Sequence, residues 1–287
     1  MASLAEFYMK IVRKHYGEKE AREELEKIKK QGKKPYALPS LIKLKKGSIE
    51  YESCGLQIFS FNPKGKGPTV IYLHGGGYVH NPLIFHISFI NKLTQRTDSN
   101  VIMPIYPLAP FGTYSYCYDK LFELYKTFQN PSDLIIMGDS SGGGLAIGFA
   151  LFLKENNLPL PKKLVLFAPW VDLTMTNPDI PKYERVDPRN SRELARVWGA
   201  AWAGGEDLKN YKISPIYGDL NGLPPIVQYV GTRDLLYPDC VLFHEKLKKN
   251  NVDSTLITGN GLNHVYPVYP IPEARVALEQ IAKDITN

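Results

Sequence analysis

From about residue 48 onward the chain alternates two patterns of apolar and polar positions. Short β-branched or apolar runs, "SIEYES", "LQIFSF", "TVIYLH", "NVIMPIY", "DLIIMG", "KLVLFAP", "PPIVQYVG" and "DSTLITG", predict strands. Between most of them lie longer stretches with apolar residues at helical spacing, which predict helices over 84–97, 115–129, 141–156, 239–250 and 272–285. A hairpin-like pair followed by repeated strand–helix units predicts an α/β fold, with a mostly parallel sheet and helices on both faces.

Two regions break the alternation. Residues 1–40 are helix-like and charged, and they close on "KKPYALPS", where two prolines mark a boundary. Residues 171–215 form an excursion between two strands that is too long for a plain crossover and is rich in Trp, Tyr, Pro and Arg. Both are expected to cover one edge of the sheet.

Composition narrows the class. A chain of 287 residues can bury a sizeable core. The net charge of +6 is carried by residues 1–50, where thirteen Lys or Arg stand against seven Asp or Glu, so the remainder sums to zero. Glu20, Glu23, Glu24 and Glu26 sit among those lysines at helix-pair spacing, which reads as a solvated helix face. No basic stripe interleaved with aromatics argues for nucleic acid as a partner. The three cysteines are far apart and unpaired in spacing, giving neither a disulfide framework nor a zinc site. With no signal-peptide pattern and no segment of membrane-spanning length, a reduced cytoplasmic protein is expected.

The candidate chemistry begins at Gly138-Asp139-Ser140-Ser141-Gly142, a G-x-S-x-G pattern between a strand and an apolar helix. A strand that turns so sharply into a helix has no room for side chains two positions either side of the serine, hence the glycines. Ser140 would then stand clear of the sheet with a helix N-terminus behind it. A phosphate loop would need a Lys after the last glycine, where Leu145 stands. The "GDSGG" of trypsin-like proteases belongs to an all-β fold, which this pattern is not.

Three further parts follow. "HGGGY" at 74–78, after "TVIYL", has the glycines that let backbone N–H groups turn toward an oxyanion, with the Ser141 N–H as a further donor. His74 itself is expected to tie that loop down. Among six histidines, His264 in "GNGLNHVYP" follows the last strand, where a sheet of this kind delivers a base to its carboxyl edge. Asp234 lies just beyond "PPIVQYV", where a carboxylate could hold the imidazole, whereas Asp239 is expected to cap the next helix. His80, Tyr78, Tyr106, Trp170, Trp198 and Trp202 are candidates for the pocket or the core.

These residues resemble the hormone-sensitive-lipase-like family of α/β-hydrolases, the prokaryotic esterase and lipase relatives. The resemblance rests on "HGGGY", "GDSSGGGLA", "APWVDLT", "SPIYGDLNGLPP", "VGTRDLLYPD" and "GLNHVYPV", from about residue 66 to 270. It implies an eight-stranded α/β-hydrolase domain over 41–287, with residues 1–40 and an insertion at about 171–215 as a helical cap. It also implies ester hydrolysis without a cofactor or metal: Ser140 as nucleophile, His264 as base, Asp234 as acid, and Gly76, Gly77 and Ser141 as oxyanion donors. The family often reads Asp-Pro-Leu at the acid; here Leu235 and Leu236 follow Asp234.

The expected partner is a small-molecule ester, with short acyl chains preferred because the excursion carries bulky rings and few exposed aliphatic faces. The same triad could serve amides or carbamates, and a hydrolase fold can be kept as a binding module. The sequence leaves a homodimer open.

Overall fold

The computed structural model describes residues 17–38 and 47–287, so His15 and part of the N-terminal segment 1–40 lie outside the described residues. Eight strands form one sheet: β1 (Ile49–Ser53), β2 (Leu56–Phe61), β3 (Thr69–Leu73), β4 (Asn100–Ile105), β5 (Ile135–Asp139), β6 (Lys163–Phe167), β7 (Ile226–Arg233) and β8 (Ser254–Asn263). The described helices are α1 (Glu18–Gln31), α2 (Ile84–Thr97), α3 (Tyr114–Tyr125), α4 (Ser141–Glu155), α5 (Ile180–Glu184), α6 (Arg192–Ala203), α7 (Tyr237–Lys249) and α8 (Pro272–Thr286).

The strand order is β1-β2-β4-β3-β5-β6-β7-β8. β1 pairs antiparallel with β2, and β2 with β4; every other pairing is parallel. The inner strands read as unbroken apolar runs because both faces are covered: Val70, Ile71, Tyr72 and Leu73 are all buried. Tyr72 and Phe167 meet Phe89 of α2, and Tyr229 donates a hydrogen bond to Asp284 of α8, so these rings fill one face. On α3 and α4, Tyr118 packs edge-on against Phe149 as part of the second helical layer. β1 is one of the two edges, exposed along most of its length, and its Glu50 and Glu52 discourage pairing with another chain.

The chain reverses direction across the sheet at β3, which lies between β4 and β5. Such a switch point opens a crevice at the carboxyl ends of the strands, where loops from both sides diverge. A second, smaller apolar cluster forms beside it: Ala21 and Leu25 of α1 pack with Leu194 and Val197 of α6 and with Val79. The 171–215 excursion therefore contributes α5 and α6, and α6 pairs with the N-terminal α1.

Candidate active site

Each residue of the expected triad is the first after a strand: Ser140 after β5, Asp234 after β7 and His264 after β8. Parallel strands end on one edge of the sheet, so three residues distant in sequence converge there. Ser140 has φ 53° and ψ −121°, a strained conformation that the surrounding backbone enforces. Its N–H donates to Phe167 O at 2.8 Å, and its carbonyl accepts from Gly144 N and Trp170 N. The flanking glycines are required by space: a Cβ on Gly142 would lie 2.0 Å from Leu73 O, and one on Gly138 2.4 Å from Gly142 O.

His264 Nε2 lies 2.9 Å from Ser140 Oγ, and His264 Nδ1 lies 2.9 Å from Asp234 Oδ2. Asp234 is fully buried and its Oδ1 accepts the Leu236 N–H at 2.8 Å. Burial alone would disfavour a charged imidazole. The charge and hydrogen bond of Asp234, with lesser help from Asp187 and Asp139, outweigh it and hold His264 above the ordinary histidine pKa.

His74 follows β3 directly. Its Nδ1–H donates to Gly75 O at 2.9 Å, its ring stacks on Tyr106 at 4.5 Å, and burial pushes its pKa down to about 4. It is thus a tether in the loop, its ring held by Gly75 O and Tyr106. Gly77 has φ 63°, and a Cβ there would meet the Trp198 ring at 2.2 Å. Gly76 and Gly77 line the same cavity as Ser140, and Ser141 opens α4, where an N–H has no intrahelical partner.

Asp139, inside the elbow, escaped sequence reasoning. Its buried carboxylate accepts from Tyr72 OH at 2.8 Å, Gly75 N at 2.8 Å and His86 Nε2 at 3.1 Å. His86 Nδ1 accepts the Leu83 N–H, which leaves Nε2 as the donor. Burial raises the carboxyl's pKa, yet His86 and these donors overcome it and hold it below the ordinary value. The elbow and the glycine loop are thereby pinned to each other.

The cavity over Ser140 encloses about 520 Å³. Its walls include Leu194, Ala195 and Trp198 from α6, Glu24 from α1, and Trp170 and Tyr269. Of the aromatic pocket candidates, His80, Trp170 and Trp198 line it, whereas Tyr78, Tyr106 and Trp202 are core, Tyr78 stacking on Trp202 at 4.3 Å. His80 is more than a surface loop residue: its Nε2 lies 3.4 Å from Glu24 and its ring packs edge-on against Trp198. Glu24, read from sequence as one of the solvated lysine partners, turns to the site instead.

Asp239 corrects another expectation. The helix cap is Leu236, and Asp239 lies inside the first turn of α7, buried, with Oδ1 accepting from Asn177 Nδ2 at 2.7 Å and Oδ2 unpartnered. Burial pushes its pKa up to about 7, with Asp172 adding to the rise and Asn177 opposing it.

The alpha/beta hydrolase fold family matches residues 70–268 of the chain. An esterase of Acinetobacter venetianus is 31% identical over 226 residues, spanning 76% of this chain and 74% of that protein. A solved Staphylococcus aureus structure superposes with a TM-score of 0.90 at 29% identity, covering 95% of this chain and 94% of that one. An esterase from the bacterial hormone-sensitive lipase family, 23% identical, shares the fold with a TM-score of 0.83 over 98% of this chain and 97% of its own. The chain belongs to the alpha/beta hydrolase fold family, and it is a carboxylesterase- and lipase-like hydrolase. Among the described residues no helix is long and apolar enough to cross a membrane.

Proposed function

We propose that the chain is a serine carboxylesterase acting on small esters of short acyl chains, with Ser140 as nucleophile, His264 as base and Asp234 as orienting acid. The observation that carries this reading is the unbroken path from Ser140 Oγ through both ring nitrogens of His264 to Asp234, 2.9 Å at each step, beside a 520 Å³ cavity. His264 Nε2 takes the serine proton as Oγ attacks the ester carbonyl, and Nδ1–H stays on Asp234, which stabilises the imidazolium. The N–H groups of Gly76, Gly77 and Ser141 receive the oxyanion. His264 then returns the proton to the departing alcohol, and water repeats the sequence on the acyl-enzyme.

In this reading residues 1–40 and the 171–215 insertion act as a cap on the hydrolase domain. The contact between α1 and α6, and their shared wall with Ser140, support that role. The rings of Trp170, Trp198 and Tyr269 support a bounded acyl site.

A series of p-nitrophenyl esters from acetyl to lauroyl tests both parts. Each methylene that fits adds about 0.8 kcal/mol of favourable transfer, so kcat/KM should climb and then drop, with its maximum at or below hexanoyl. A maximum at octanoyl or beyond would mean an open groove. Ser140→Ala should abolish turnover across the series, and turnover surviving in that variant would remove Ser140 from the mechanism.

A further inference from the structure

Asp187 lies in the excursion, only 1% exposed, and the mechanism above does not use it. Its Oδ1 accepts the backbone N–H groups of Arg189 at 2.8 Å and Asn190 at 2.9 Å. Its Oδ2 accepts Asn190 Nδ2 at 3.2 Å and the Leu235 N–H at 2.8 Å. All four partners are donors, the set that an ionised carboxylate satisfies and a protonated one would waste.

Leu235 N–H belongs to the peptide immediately after Asp234, and the next N–H, of Leu236, is held by Asp234 itself. Two aspartates thus grip two successive amides of the acid loop. Leu235 also stands where the family pattern often has proline, which has no N–H to give. At its other end the Asp187 turn leads into α6, where Ser191 Oγ caps the helix by accepting the Leu194 N–H at 3.1 Å. A single buried side chain therefore ties the approach to α6 to the loop that orients His264.

We propose that Asp187 is a positioning residue for the proton relay, fixing the peptide that follows Asp234, the carboxylate that holds His264. The inference rests on the Ser140, His264 and Asp234 reading. The charged groups that act on His264 are Asp234 at the end of β7, Asp187 in the excursion and Asp139 at the end of β5. Those that act on Asp187 are Asp234 and His264: burial and Asp234 push its carboxyl up, and His264 pulls it back.

The test is steady-state turnover of the full chain and its Asp187→Asn variant on one short p-nitrophenyl ester as a function of pH, with melting temperatures alongside. An asparagine at 187 must turn its NH2 toward an N–H, so the grip on one side fails and the charge is lost. We expect kcat to fall by about tenfold to a hundredfold with KM nearly unchanged. The acid limb of kcat/KM should move down by about one pH unit, because imidazolium loses a neighbouring anion. A folded Asp187→Asn protein with wild-type kcat and an unmoved acid limb, even with a lower melting temperature, overturns the proposal. If that variant does not fold, Leu235→Pro deletes the same hydrogen bond from the other side; a fall in kcat supports the proposal and wild-type kcat overturns it. Ser140→Ala run in parallel separates the two readings. Turnover in Ser140→Ala defeats the relay itself, whereas a silent Ser140→Ala beside a wild-type Asp187→Asn defeats only this inference.

Discussion

Asp139 and Asp239 are both buried aspartates at the start of a helix or the end of a strand, yet their surroundings drive them in opposite directions. Asp139 faces three donors and stays ionised; Asp239 has one donor and an empty second oxygen, and its pKa rises to about 7. A carboxyl that holds its proton more tightly folded than unfolded contributes stability that is complete below the ordinary aspartate value and is lost as pH rises through about 7. Asp239 should accordingly take stability away as pH rises between about pH 4 and pH 8, while buried His74, pushed down to about 4, adds some back over part of that window; Asp239→Asn should therefore raise the melting temperature at pH 8 relative to pH 4 compared with the unsubstituted chain. An unchanged slope in the variant would show that Asp239 ionises freely. Asp239 does not cap the helix because Pro238 sits in its first turn, where proline is favoured, and the helix starts at Tyr237. Ser140 could be singled out in sequence by the glycines around it after an apolar run, and Asp234 and His264 by lying in the segments that follow the last two predicted strands. Asp187 could not, since Asp-Pro reads only as a turn and its partner Leu235 lies 48 residues away.

At the scale of elements, the inner strands β3 to β7 were legible because buried parallel strands leave apolar runs, and the exposed β1 because it precedes β2 as a hairpin-like pair. Their ends were less so. β8 continues through Asn263, past Gly259 and Gly261, which resemble the start of a loop, so His264 leaves a strand directly. The pairing of α1 with α6 was hidden because α1 shows mostly charge, and only Ala21 and Leu25 on it are buried. That seam is small and separate from the main core. Leu25→Ala should cost about 2 kcal/mol at this seam. Amide hydrogen exchange should then quicken in α1 and leave β3 and β5 protected, while KM rises because Glu24 on α1 walls the cavity. Equal loss of protection in the sheet would mean that α1 and the sheet unfold as one unit.

Across the whole molecule, the sheet's switch point, the strained elbow, the pinned glycine loop and the cavity walls from α1 and α6 meet at Ser140. If Ser140 is the nucleophile, His264, with its pKa held above the ordinary value chiefly by Asp234 against the cost of burial, must lose its proton to activate it. The most direct measurement is the rate and location of covalent labelling by a fluorophosphonate, read by peptide mass spectrometry across pH. A single adduct is expected on Ser140, forming faster as pH rises through one ionisation above the usual histidine value, with no adduct in Ser140→Ala. An adduct on Ser141 or another serine, or labelling of Ser140 with a rate independent of pH in that range, would contradict it.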